Sequence, residues 1–327
     1  MNIIKPSFLE IKNSNPQKHI EEIARTCYKS TDLITEDSHK QFIKNIYNRK
    51  HWAMLEHYIF CYIIKDQDFV PLADKRFIIH TDTVLNLPQK PWQEVRHVVS
   101  FSARSLLDIL EANENPHMNR VIIELIEQVV YDYDCDELFG NRFKKVNNEF
   151  RYTKVDDITT LTPEEQWAHG WKSIKFICDR GVSHEIVRHR DASFAQESTR
   201  YCNYAKDKFG KEITVIKPCY LRDGSDDSNE EMVAWGIWTR AIESSEKAYF
   251  EMLDAGCSPQ EARAVLPNSL KTEVIMTARN YEWGHFFGLR CDKPAHPQMR
   301  ELAIPLFEYF NEYDNTLFNR DNIKFEI

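Results

Sequence analysis

The same four-residue pattern, typical of the first turn of a helix, occurs twice in this chain. Residues 162–165 read TPEE and residues 258–261 read SPQE. In each, the side chains of the first and fourth residues can satisfy each other's backbone N–H groups, and proline fits the first helical turn. Both segments therefore predict helices with fixed starting points.

Other parts of the chain add further helices and a smaller number of strands. Apolar residues at helical spacing predict helices over 16–28, 106–112, 121–130, 229–255 and 299–309, with Gly256 as the C-cap of the long one. Short runs rich in β-branched and aromatic residues predict strands over 57–64, 97–102, 173–178 and 272–276. This mixture favours an α+β or α/β fold with a modest sheet.

The composition excludes several function classes. Only 9 of 327 residues are glycine, and neither GxGxxG nor GxxxxGK[ST] occurs, so a cofactor must be held mainly by side chains. A net charge of −9 argues against duplex nucleic acid as a partner. We expect no membrane span, because no run of 18 apolar residues occurs, and no secretory signal. Eight scattered cysteines without a CxxC pair predict a reduced, cytoplasmic protein without a metal site.

The densest group of reactive side chains lies in residues 183–204, which read SHEIVRHRDASFAQESTRYCNY. Ser183 can cap a short helix that runs to about Arg190. Because Arg188, His189 and Arg190 would fan around that helix, they cannot all contact one ligand atom, but they could line a wall that holds two anionic ligands. A solvated basic turn accounts for the same residues, and at this point both interpretations stay open.

Four segments, in order, resemble motifs of the flavin-dependent thymidylate synthases, the ThyX family. Residues 188–198 carry RHR, seven residues and then Ser198, which is the RHRx7S signature. Residues 51–57 (HWAMLEH) resemble the GHx[ST]xxEH stretch, residues 263–267 (RAVLP) the RxVLP element, and residues 285–290 (HFFGLR) the HFxxLR element. The resemblance implies a single ThyX-like domain over residues 1–327, of the α+β (α/β) class. It would have a central, mostly antiparallel sheet, flanking helices and surface insertions near 104–170 and 205–245.

The resemblance also implies an activity and a site. The family methylates dUMP at C5 to give dTMP, with methylenetetrahydrofolate as carbon donor and NADPH-reduced FAD as hydride donor. Arg290, Ser198 and His51 are the implied catalytic residues, with Arg290 promoting ionisation of the uracil at N3, because a guanidinium stabilises negative charge on the ring. The implied dUMP contacts are Glu185, Arg188, Gln196, Glu197, Ser198, Thr199, Arg200, Arg263 and Arg290. The implied FAD contacts are Ala53, Arg188, His189, Arg190, Gln196, Arg279, Asn280, Tyr281 and His285.

The chain departs from the family's pattern mainly at the expected flavin contacts. The altered positions are Ala53, Glu185, Ala195, Gln196, Arg279 and Tyr281. A relative that binds FAD and dUMP but lacks folate chemistry therefore remains an alternative.

Two more hypotheses belong to other classes. One is a methyltransferase that uses Cys202 as a nucleophile, and the other is an RNA-binding module built on the arginine cluster. The family resemblance instead implies small-molecule substrates, no nucleic-acid or membrane partner, and a homotetramer with active sites shared between subunits. We expect His57 to be structural, and the C-terminal aromatic residues to pack in the core or between subunits.

Overall fold

The computed structural model describes residues 1–64, 78–84, 94–112, 116–143, 152–200, 202–206, 210–221 and 229–327. The strands in these ranges are β1 (Asn2–Ile4), β2 (Ser7–Ile11), β3 (Ile59–Ile64), β4 (Ile78–Val84), β5 (Glu94–Ser102), β6 (Tyr152–Lys154), β7 (Trp171–Asp179), β8 (Ser193–Gln196), β9 (Thr214–Ile216) and β10 (Lys271–Arg279). The α-helices are α1 (Pro16–Thr26), α2 (Ser38–Asn48), α3 (Ala103–Ala112), α4 (Pro116–Tyr133), α5 (Pro163–His169), α6 (Arg180–Ile186), α7 (Asn229–Asp254), α8 (Pro259–Ala262), α9 (Asn280–Arg290) and α10 (Pro297–Tyr313).

The strands confirm a mostly antiparallel α+β arrangement, divided between two sheets rather than gathered in one. The first sheet has the order β2-β7-β10-β8 and the second the order β4-β5-β3-β6, with every neighbouring pair antiparallel. A separate parallel pair joins β1 to β9. The four predicted strands are confirmed as β3, β5, β7 and β10. The strands that were not predicted include short segments such as β8, which pairs with β10 over four residues.

The predicted helix starts are confirmed at α5 and α8. Glu165 Oε2 accepts a hydrogen bond from the backbone N–H of Thr162 (2.9 Å), and Thr162 Oγ1 accepts one from the backbone N–H of Glu165. The long helix α7 ends just before Gly256, whose φ of +93° is one that L side chains rarely adopt. The sequence thus fixes these helix ends locally.

The prediction that Ser183 caps a helix is wrong. The helix α6 begins earlier, after Asp179, whose Oδ1 accepts a hydrogen bond from the backbone N–H of Val182 (2.7 Å). Ser183 lies inside this helix, and its hydroxyl donates to the carbonyl oxygen of Arg180 (2.9 Å). Serine and aspartate both favour N-cap positions, and Asp179 takes this one because β7 ends there.

The two sheets support separate hydrophobic cores. One lies between the second sheet and helices that include α3 and α4, and the other between the first sheet and α9 and α10. Phe307 and Phe310 are buried in the second core, as predicted, whereas Tyr313 is 60% exposed. His57 is fully buried, and its Nδ1 lies 2.7 Å from Thr277 Oγ1, in agreement with a structural role.

The segments predicted as insertions contribute buried side chains where the structure describes them: α3 and α4 pack in the core of the second sheet, and α7 packs in a third cluster with Val215 and Leu270. Leu107 of α3 and Leu125 of α4 are fully buried, and Ile242 of α7 is 3% exposed. Their status as insertions remains a prediction. In the described part of the chain, no helix combines the length and apolar character needed to cross a membrane.

Candidate functional site

The guanidinium of Arg290 is held by residues that lie about a hundred positions earlier in the chain. Arg290 ends α9, and its Nε donates a hydrogen bond to His189 Nε2 (3.1 Å). Its Nη1 donates to Glu185 Oε2 (2.9 Å) and its Nη2 to the Glu185 carbonyl oxygen (2.9 Å). These bonds orient the planar guanidinium, while 17% of the side chain remains exposed to solvent.

The contact with Arg290 also determines the tautomer of His189. A guanidinium can only donate, so Nε2 of His189 must accept and the ring proton must lie on Nδ1. Burial lowers the pKa of His189 to about 4, and Arg290 and His285 act in the same direction. The His285 ring lies 5.8 Å from the His189 ring, between centroids. At neutral pH this place therefore combines a neutral imidazole with a cationic guanidinium.

The two arginines that flank His189 lie in a different environment from that of the histidine. Arg188 and Arg190 are exposed, whereas His189 is 5% exposed. This agrees with the expectation that the three side chains do not serve a single ligand atom.

Two of the predicted nucleotide contacts are already engaged within the chain. Gln196 Nε2 donates to Ser183 Oγ (2.9 Å) and Thr272 Oγ1 (3.3 Å). Glu197 is 3% exposed, and its Oε2 accepts a hydrogen bond from Lys271 Nζ (3.0 Å). Gln196 therefore links α6 to the first sheet, and Glu197 is tied to the start of β10.

The lysine beside Glu197 belongs to a compact charge network. Lys271 and Lys29 both contact Glu273 as well as Glu197. Although burial acts in the opposite direction, these two lysines hold the pKa of Glu273 at about 2. Three members of the network line a cavity of about 390 Å³ together with Tyr204, namely Lys29, Glu197 and Lys271.

A second group of predicted nucleotide contacts meets beside the end of α8. Arg263 Nη1 donates to Thr199 Oγ1 (3.3 Å). The Ser198 hydroxyl accepts a bond from the Arg200 backbone N–H (3.4 Å), and the Ser198 backbone N–H donates to the Cys27 carbonyl oxygen (3.1 Å). Arg200 and Arg263 are exposed. Arg263 and Thr199 thus bring a guanidinium and a hydroxyl together, with Ser198 and Arg200 adjacent to Thr199 in the sequence, and such a group of donors suits a phosphate.

Several predicted flavin contacts line one cavity of about 210 Å³, namely Arg190, Arg279 and Tyr281, together with Ser193. Arg279 Nη2 donates to the Ser100 carbonyl oxygen (3.3 Å), and burial lowers the pKa of Arg279. Its Nε has no hydrogen-bond partner among the described residues. Asn280 has a different role, because its Nδ2 donates to the Gln166 carbonyl oxygen (2.9 Å).

The remaining predicted residues, His51 and Ala53, line a neighbouring cavity of about 420 Å³. This cavity is also lined by Arg104, which was not predicted. Arg104 Nη1 lies 2.9 Å from Glu56 Oε1, and Glu56 Oε2 accepts a hydrogen bond from Ser193 Oγ (3.1 Å) in the 210 Å³ cavity. Glu56 falls within the motif at residues 51–57, which was a signal for it, whereas nothing in the sequence marks Arg104.

Within one chain the predicted residues thus occupy separate places. Arg279 and Arg290 lie at opposite ends of α9, which has 11 residues and is about 16 Å long at 1.5 Å per residue. Both arginines cannot contact the same small group on a ligand. The arrangement suits one extended ligand or two ligands.

Comparisons with known proteins agree on one family. A family model described as "Thymidylate synthase complementing protein" matches residues 167–314. Flavin-dependent thymidylate synthase from Geobacter sulfurreducens is 33% identical over 139 residues, which cover 42% of this chain and 55% of that protein. The enzyme of the same name from Pyrococcus abyssi is 30% identical over 174 residues, which cover 53% of this chain and 68% of that protein.

These matches cover only part of the relatives. The match spans little more than half the length of the Geobacter sulfurreducens protein and of a Pyrococcus furiosus relative (55% and 53%). A crystal structure of the UMP/dUMP methylase PolB from Streptomyces cacaoi, bound with 5-Br UMP, aligns over 95% of this chain and 92% of that one. Its TM-score of 0.41 and identity of 12% are too low to support an inference about this chain. The matched range 167–314 contains every predicted site residue except His51 and Ala53.

Proposed function

Because the chain belongs to the flavin-dependent thymidylate synthase family, we propose that it methylates dUMP at C5 to give dTMP. Methylenetetrahydrofolate would supply the carbon, and FAD reduced by NADPH would supply the hydride. The observation that carries the proposal is the guanidinium of Arg290, which is oriented by His189 and Glu185 yet partly open to solvent.

Arg290 is proposed to act on the uracil ring. Uracil carbon is a poor nucleophile, and a positive charge beside the ring favours the N3-deprotonated form, which is richer in electrons at C5. The neutral state of His189 matters here, because its Nε2 holds Arg290 without adding a second charge. The Glu185 carboxylate balances the guanidinium before substrate binds.

The phosphate of dUMP is proposed to bind beside Arg263 and Thr199. Their direct contact means that a guanidinium and a hydroxyl reach the same point, and the exposed Arg200 is close in sequence. Arginine grips phosphate through two parallel hydrogen bonds, which neither Ser198 nor Thr199 can do alone. Gln196 and Glu197 would support this site through the contacts they make within the chain.

The cavity that contains Arg190, Arg279 and Tyr281 suits part of a flavin cofactor. Arg190 and Arg279 lie in it beside the carboxylates of Glu56 and Asp191, so the cavity offers both donors and acceptors to a cofactor. The buried Nε of Arg279 is a donor that has no partner in the described part of the chain. When bound, FAD would supply the hydride for the reductive step. The residues of this chain would bind and orient it, and subunits of a homotetramer would complete the site. His51 and Ala53 would lie on the folate side, and a cytoplasmic location remains a prediction.

The first test is the visible spectrum of the purified protein, which should have flavin bands that bleach on addition of NADPH. A decisive assay follows tritium release from C5-labelled dUMP with methylenetetrahydrofolate and NADPH. Arg290→Ala should lose at least about a hundredfold in release while it retains flavin. Arg120→Ala is the matched control, because Arg120 is exposed on α4 and pairs with Glu124.

Other outcomes identify the alternatives. Flavin and dUMP binding without tritium release under anaerobic reducing conditions would indicate a relative that lacks folate chemistry. A colourless protein with steeply salt-dependent RNA affinity would indicate an RNA-binding module. Cys202 is 1% exposed in a hydrophobic cluster, so we expect Cys202→Ala to retain activity, and complete loss would favour a cysteine nucleophile.

A further inference from the structure

The 420 Å³ cavity beside His51 has an unusual charge for this chain. The protein carries 51 acidic against 42 basic residues, yet Lys50 and Arg104 line this cavity and no carboxylate is among its described lining residues. Tyr28 and Trp52 provide aromatic surface at the same place. A cavity with positive charge next to aromatic walls suits a ligand in which an anionic group is attached to a flat ring.

Lys50 lies at the end of α2, in an uncommon backbone conformation. The helix α2 ends in a Schellman motif, in which the Lys50 N–H donates to the Tyr47 carbonyl oxygen (3.0 Å) and the His51 N–H donates to the Ile46 carbonyl oxygen (3.0 Å). Lys50 therefore takes the left-handed position, with a φ of +56°. Glycine favours this position and a lysine is strained there. Lys50 nevertheless occupies it, at the end of α2, where it lines the cavity next to His51.

Arg104 is held at the wall between two cavities. Its Nη1 pairs with Glu56 Oε1 (2.9 Å) and its Nε with Asp108 Oδ2 (3.2 Å), and its side chain is 35% exposed. These contacts leave the Nη2 donors without a hydrogen bond to any described residue. On its far side, Glu56 reaches the cavity that contains Arg190 and Arg279. A ligand bound in one cavity would thus lie next to a ligand bound in the other.

We propose that Lys50 and Arg104 form an anion-binding site for the anionic part of a ring-bearing ligand. The inference rests on the proposed function, which offers two sources of this chemistry: the phosphates of FAD and the carboxylates of the folate tail. Glu56 weakens the attraction of the site for anions, because its negative charge offsets the positive charge of Arg104 in the absence of ligand.

The test measures the dissociation constants of FAD, by fluorescence quenching, and of folic acid, by calorimetry, for the full-length protein and its variants. Loss of one charge-assisted hydrogen bond in Arg104→Ala should raise the Kd of FAD or of folic acid about tenfold to a hundredfold. Arg104→Lys should lose less, since it keeps the charge, and Arg120→Ala should change neither Kd. A rise for FAD alone identifies the phosphates, and a rise for folic acid alone identifies the carboxylates.

Two more variants separate ligand binding from a structural role. Lys50→Gly relieves the strained backbone, so it should raise the melting temperature and at the same time weaken binding of the same ligand. Glu56→Gln removes a competing negative charge and should leave that affinity equal or tighter. Unchanged Kd values in both Lys50→Gly and Arg104→Ala, with normal binding by the unaltered protein, would overturn this inference alone. Failure of the unaltered protein to bind either ligand would overturn the proposed function as well.

Discussion

Acid should weaken this fold through its buried histidines, and His57 offers the sharpest test. Its side chain is fully buried, with Nδ1 against Thr277, and burial lowers the pKa of His57 to about 3. The folded state therefore keeps His57 neutral well below pH 6.5, whereas the unfolded chain protonates it near its ordinary pKa. The sign follows: stability is complete above pH 6.5 and is lost as the pH falls toward 3.

The size of this loss can be worked out from the two pKa values. Between pH 6.5 and 5.0, proton uptake by His57 in the unfolded state should cost about 1.6 kcal/mol of the free energy of unfolding. In His57→Gln this contribution disappears, because glutamine does not titrate. The variant should be less stable at both pH values, since the packing is disturbed, but its stability should depend less on pH.

Urea unfolding followed by tryptophan fluorescence at pH 6.5 and 5.0 measures the difference. The matched control is His184→Gln, which makes the same substitution at an exposed position on α6. It should lose as much stability on acidification as the unaltered protein. If His57→Gln loses as much stability on acidification as the unaltered protein does, His57 is not held neutral in the folded state, and the electrostatic reasoning is refuted.

Two further predictions concern packing and nucleotide binding. A Cβ added at Gly284 would lie 2.4 Å from the Trp167 ring, so Gly284→Ala should destabilise the protein by about 1–3 kcal/mol and lower its melting temperature. Gly236→Ala, which meets nothing within 4 Å on α7, should be neutral or stabilising by up to about 1 kcal/mol; equal effects would contradict the packing argument. Arg263→Ala should raise the Kd of dUMP about tenfold to a hundredfold and leave that of FAD unchanged in titrations, whereas an unchanged dUMP affinity would remove Arg263 from the phosphate site.

The structure differs from the sequence-based predictions mainly where a segment depends on residues that are distant along the chain. The long apolar strands β7 and β10 were predictable because their own residues favour burial. The strand β8 was not, because it forms four pairs with β10 and carries no strong pattern of its own. The cap of α6 was assigned to Ser183, whereas Asp179 takes it; both residue types favour caps, and the end of the preceding strand decides between them.

The candidate site, too, could be predicted only in part from the sequence. The sequence identified Arg290 and His189, but their hydrogen bond spans 101 residues and depends on how α9 packs against the first sheet. The RHR motif predicted that three side chains would diverge, and the burial of His189 between two exposed arginines agrees with this. The pairing of Arg104 with Glu56 had no signal in the sequence.

The sequence by itself determined the capped helices, the long buried strands and the family, because these depend on residues that are neighbours along the chain. Only the tertiary structure decided which predicted site residues meet, and which cavities Arg104 and Glu56 separate. The physical reason is that a hydrogen bond or ion pair requires two groups within about 3–4 Å, and for residues far apart in sequence that distance is set by the packing of whole helices and sheets.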